Sequence, residues 1–108
     1  MKERRKFPRY DSALEVKYST QGDAGIEGYT VSRNVSLGGI LIPVSKFIKN
    51  GDVIKLDIDT NNNGNRVAAY GRVKWTQAIT RPSPLQMDAG IEFTRIEPQD
   101  ARRLVVAV

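Results

Sequence analysis

Two short segments hold the residue types that could do chemistry. The first is Arg4-Arg5-Lys6-Phe7-Pro8-Arg9, near the start of the chain. Pro8 disfavours helical geometry at Phe7 and cannot itself sit inside a helix, so this arm is extended. Along an extended backbone Arg5 and Arg9 stand up to about 14 Å apart. Two guanidinium forks at that separation suit the two ends of one polyanion. A guanidinium bonds phosphate bidentately and stacks flat on a purine, which an ammonium does not. Against guanine it also pairs with O6 and N7. The competing reading of the arm is a solvated basic tail.

The second segment is Asn34-Val35-Ser36-Leu37-Gly38-Gly39. Strand alternation puts Asn34 and Ser36 on one polar face, about 7 Å apart, with Val35 and Leu37 pointing inward as anchors. Gly38 and Gly39 leave no side chain where a ligand or the arm must come close to the backbone. The competing reading is a β-turn in which Asn34 and Ser36 satisfy local backbone groups.

Composition limits what these segments can serve. The 108 residues make one domain, with no cysteine and no histidine. That removes disulfides, Cys/His zinc sites and Ser-His or Cys-His nucleophiles. No acidic cluster has metal-ligand spacing, and no nucleophile–base pair is visible, so no catalysis is expected. No apolar run approaches the roughly 20 residues that span a bilayer. The charged N-terminus has no signal-peptide pattern. A soluble cytoplasmic domain without a membrane role is the expectation. The net charge is +5, and residues 1–9 carry five basic groups against Glu3, leaving 12 basic and 11 acidic groups in the rest. A cationic arm on a nearly neutral body points to a phosphate-bearing partner rather than a broad nucleic-acid face.

The elements that must position these groups read as strands, because the hydrophobic period is two almost everywhere. Leu14, Val16 and Tyr18 alternate with Glu15 and Lys17. Tyr29, Val31 and Val35 share a face opposite Thr30, Ser32, Asn34 and Ser36. Residues 39–44 form an apolar run suited to a strand buried on both sides. Ile54, Leu56 and Ile58 alternate with Lys55, Asp57 and Asp59, the two aspartates being outward charges. Val67, Ala69, Gly71, Val73 and Trp75 face away from Tyr70, Arg72 and Lys74, and Met87, Ala89, Ile91 and Phe93 make a last strand. Turns are signalled at 21–25, 50–52 and 61–65, and a longer link holds Pro82 and Pro84. Six such strands predict an all-β fold, an antiparallel barrel closed or nearly so. After Pro98 the period changes, and Ala101, Leu104, Val105 and Val108 predict a C-terminal helix. The expected layout is an arm over 1–11, a barrel over 12–94 and a helix over 97–108. By register Trp75 packs in the core or at its rim; the alternative is a rim indole that closes over a purine. Arg102 and Arg103 read as a solvated helix face.

Taken together, Arg4, Arg5 and Arg9, then Asn34, Ser36 and Gly39, resemble the paired motifs of the PilZ family, Arg-Arg-x-x-x-Arg and Asn-x-Ser-x-x-Gly. The resemblance covers the whole chain, continuing through Val73-Lys74-Trp75, Gly90-Ile91-Glu92-Phe93 and the terminal helix. It implies a six-stranded barrel that binds the bacterial messenger cyclic di-GMP, with no other cofactor. It further implies that Arg5 and Arg9 hold phosphates and guanine faces, with Arg4 as a third cation. Asn34 and Ser36 would then read a guanine edge, while Gly38 and Gly39 give clearance.

The expected function is a non-catalytic cyclic di-GMP receptor whose arm orders on binding and so signals to a protein partner. Arg4 and Arg5 point to opposite sides of an extended arm, which suits a stacked pair of ligands. Two further readings compete: a small basic barrel for single-stranded nucleic acid, and a nucleotide-independent adaptor. The first expects basic and aromatic residues spread over a sheet face, which this neutral body lacks.

Overall fold

The computed structural model describes residues 7–22, 25–62, 65–79 and 85–106, with the backbone alone at 61 and 62. Eight strands and one helix follow in chain order: β1 (Tyr10–Asp11), β2 (Glu15–Thr20), β3 (Glu27–Val31), β4 (Asn34–Val35), β5 (Gly39–Ser45), β6 (Val53–Asn62), β7 (Asn65–Ala78), β8 (Gln86–Arg95) and α1 (Pro98–Val106). They form one antiparallel sheet in the order β1-β4-β5-β8-β7-β6-β2-β3. The two strands beyond the expected six are the two-residue pieces β1 and β4, too short to show a period.

The sheet curls into a half-barrel because its two ends are stitched by the link between β3 and β4. Ser12 N–H donates to the Arg33 carbonyl at 3.0 Å, Ser32 N–H to Leu14 at 2.8 Å and Arg33 N–H to Leu41 at 2.9 Å. Ser32 is buried, and its hydroxyl accepts from Leu14 N–H at 2.9 Å and pairs with the Ser12 hydroxyl at 2.6 Å. This polar stitch corrects the expected face of β3. Tyr29 and Val31 are outward and exposed, whereas Val35 is fully buried. The turn of the backbone at Ser32–Arg33 resets the alternation between them.

Elsewhere the concave face takes the residues that alternation assigns to it. Leu14, Val16 and Tyr18 join Ile54, Leu56, Ile58, Val67, Ala69 and Val73, all buried, and Leu104 of α1 plugs the same core. Strand β5 is a second correction: Ile40, Ile42 and Val44 are buried while Leu41, Pro43 and Ser45 are only half-buried, so one of its faces looks outward. Gly28 leaves space for the Tyr18 phenol, whose oxygen accepts from Ser45 N–H at 3.0 Å. Outward charges pair across strands, with Arg66 Nε on Asp57 at 2.8 Å and its Nη1 on Asp59 at 3.6 Å. Arg103 pairs with Asp100 on α1 at 3.2 Å, leaving the helix's basic face solvated as expected. The link with Pro82 and Pro84 and the last residue, Val108, lie outside the described residues.

Candidate functional site

The outward face of β4, β5, β8 and β7 carries a groove of about 450 Å³. Its floor is a row of paired positions that runs across four strands: Asn34 opposite Leu41, Leu41 opposite Gly90, and Gly90 opposite Trp75. At the usual strand spacing this row is about 14 Å long, with an amide at one end and an indole at the other.

The indole arrives there through a β-bulge. Val73 pairs with Ile91 and Trp75 with the very next residue back, Gly90, so Lys74 is the extra residue on β7. Two residues of one strand against one of its partner rotate the following side chain to the opposite face. Strict alternation keeps Trp75 with Val73 in the core; the bulge turns it outward, half-buried, over Gly90. A Cβ on Gly90 would lie 2.2 Å from Trp75 Nε1, so the absence of a side chain at 90 lets the indole lie flat on the strand. Trp75 thus sits at the rim, a position that both packing and contact with a purine allow. No periodicity rule signals a bulge; the nearest hint in the sequence is Gly90, a glycine within a strand.

The Asn34–Gly39 segment is a tight hairpin joining β4 to β5. The Ser36 hydroxyl oxygen accepts from Gly38 N–H and Gly39 N–H, both at 3.1 Å, so the turn reading holds for Ser36. Yet Asn34 and Ser36 both line the groove, so the motif serves turn and groove together. The Ser36 hydroxyl meets the Gly39 carbonyl only at 3.5 Å, too long to engage its hydrogen firmly. Leu37 corrects the sequence expectation: it sits at the tip of the turn and is 40% exposed rather than buried.

The two glycines do different work. At Gly38 a Cβ would lie 2.5 Å from the Phe7 ring, so this position receives the arm. At Gly39 a Cβ would lie 2.3 Å from the Ile91 carbonyl, so this position lets β5 and β8 come together. Clearance at Gly39 is therefore taken by the neighbouring strand as well as by the groove it lines.

The arm enters beside this hairpin. Tyr10 and Asp11 pair with Val35 and Asn34, which fixes the chain immediately after Arg9. Phe7 and Arg9 then lie along the groove, Arg9 exposed. The structure thus brings Arg9, Asn34, Ser36, Gly38, Gly39 and Trp75 together around one groove. Arg4 and Arg5 lie outside the described residues. Sequence reasoning missed Lys74 and Glu92, which face each other across the groove wall at 3.8 Å. Among the described residues no group of carboxylates is placed to hold a metal ion. No described helix is long and apolar enough to cross a membrane.

The sequence pattern of the PilZ domain matches residues 3–108. The chain belongs to the PilZ domain family. Solved structures share the fold of this PilZ domain. The inhibitor of motility MotI/DgrA of Bacillus subtilis superposes with a TM-score of 0.75 at 21% identity, over 96% of this chain and 49% of that one. The PilZ domain of YcgR from Escherichia coli, with c-di-GMP, gives 0.69 at 11% identity, over 95% of this chain and 87% of that one. The MrkH–c-di-GMP complex of K. pneumonia gives 0.62 at 17% identity, over 98% and 51%. The PilZ domain described by this chain therefore spans about half the length of MotI and MrkH. No curated protein is similar enough to it to count as a relative.

Proposed function

We propose that this PilZ domain is a non-catalytic, cytoplasmic receptor for cyclic di-GMP and that the groove is where the ligand binds. One observation carries the reading: the arm residue Arg9 and the hairpin residues Asn34 and Ser36, 25 and more positions apart in sequence, line the same groove as the Trp75 indole. A guanidinium supplies phosphate contact and purine stacking, the amide and hydroxyl supply edge readout, and the indole supplies a second flat surface. YcgR and MrkH, which share the fold, are solved with c-di-GMP. In this reading Arg5 acts with Arg9 on the phosphates and guanine faces, and Arg4 adds the charge that a stacked pair of ligands requires.

Isothermal titration with cyclic di-GMP is expected to saturate near two ligands per chain, with GMP much weaker and a short single-stranded oligonucleotide inert. Saturation at one ligand removes the stacked pair and leaves the site. Tight oligonucleotide binding without a response to cyclic di-GMP overturns the reading in favour of a nucleic-acid barrel.

Binding also closes the arm over the ligand, and the reshaped surface is what a protein partner recognises. The arm's place supports this: Phe7 and Arg9 line the groove directly before the two residues that pair with β4. Amide exchange at Phe7 and Arg9 is expected to slow on addition of cyclic di-GMP. Equal protection with and without ligand counts against the arm as the moving part.

A further inference from the structure

The bulge that turns Trp75 outward also leaves Lys74 as an unmatched residue at the groove wall. Its ammonium lies 3.8 Å from the Glu92 carboxylate, with both side chains more than half exposed, 56% and 58%. A pair so placed contributes little to folding, since solvent screens it and two long side chains must be held still. Glu92 is also a charge of the wrong sign for a groove that takes an anion, and it is the one carboxylate among the described lining residues. Asp88, on the same strand, is engaged by Arg33 Nε at 2.8 Å and plays no part here.

We propose that Lys74 is a second phosphate contact of this groove, held in reserve by Glu92 until an anionic ligand displaces the carboxylate. The inference rests on the proposed cyclic di-GMP site and names two residues that neither motif contains. A phosphate oxygen held in the groove gives the ammonium a charge-assisted bond with a fixed partner, where the Glu92 carboxylate is a mobile and solvent-screened one. Glu92 therefore sets the affinity downward: ligand must break the Lys74–Glu92 pair and then bear the freed carboxylate. Diffuse attraction also moves the two substitutions in opposite directions, but additively; a carboxylate that acts by holding Lys74 makes their effects non-additive.

The test compares wild type, Lys74→Met, Glu92→Gln, the double variant and Arg9→Ala by titration with cyclic di-GMP at several salt concentrations. Lys74→Met is expected to weaken binding about 5- to 20-fold and to flatten its salt dependence, as loss of one charged contact does. Glu92→Gln, nearly isosteric and on the surface, is expected to tighten binding about 3- to 10-fold, and by less once Lys74 is gone. Unchanged affinity in Lys74→Met, weaker binding in Glu92→Gln, or additive effects in the double variant overturns the proposal while an intact Arg9 requirement keeps the site. Failure of the wild type to bind, or indifference to Arg9→Ala, overturns the receptor reading itself.

Discussion

Replacing Arg9 by alanine is expected to remove most cyclic di-GMP binding while leaving the fold untouched. Arg9 is exposed and lines the groove, and it follows Pro8 immediately before the two residues that pair with β4. Its guanidinium can therefore be deleted without disturbing the core. Each charge-assisted hydrogen bond to an ionised partner contributes about 1.5–3 kcal/mol, so the loss should be about 10- to 150-fold in Kd. Arg102→Ala on α1 is the matched control, because that residue is exposed on the helix, is not among the residues that line the groove, and removes the same charge. Equal losses at Arg9 and Arg102 would mean that net charge alone draws the ligand, and the groove would lose its claim. Arg5→Ala is expected to match Arg9→Ala, since the two forks share the phosphates in the proposed site.

Gly39→Ala should instead destroy stability. The new methyl would lie 2.3 Å from the Ile91 carbonyl oxygen, 3.3 Å from its carbon and 3.4 Å from Glu92 Cα, all backbone atoms of β8. No rotamer change relieves such a contact; β5 and β8 must move apart at the pairing of Gly39 with Glu92. The Phe93 N–H to Gly38 carbonyl bond of 2.9 Å, one residue away, would strain with them. Overpacking of this kind costs about 3 kcal/mol, which for a domain of this size lowers Tm by more than about 10 °C. Thermal unfolding followed by circular dichroism measures it directly. Gly38→Ala meets only the Phe7 ring, a side chain that can swing aside, so its Tm should stay near that of the wild type. If the two variants unfold together, the close approach of β5 and β8 is not what Gly39 provides.

The contrast between neighbouring glycines shows where sequence reading stops. The period-two runs of β2, β6 and β8 and most of β7 were legible because each strand buries one face against a single core, and alternation reports that burial residue by residue. The helix was legible from Pro98 and the switch to helical spacing at Ala101 and Leu104. The motif residues Arg9, Asn34 and Ser36 were legible as types suited to phosphate and base edge. Three things were decided only by the tertiary structure. The polar stitch at Ser32, whose hydroxyl satisfies the Leu14 N–H just before β2, accompanies the turn of Tyr29 and Val31 to solvent against their hydropathy. The bulge at Lys74 changed which face Trp75 occupies, because register between two strands is set by their pairing and not by either strand alone. Lys74 and Glu92 became neighbours for the same reason. A residue's type and its own strand's period are local properties, carried by the sequence. What lies across from it depends on strands up to 18 positions away between these two, and only the folded sheet supplies that.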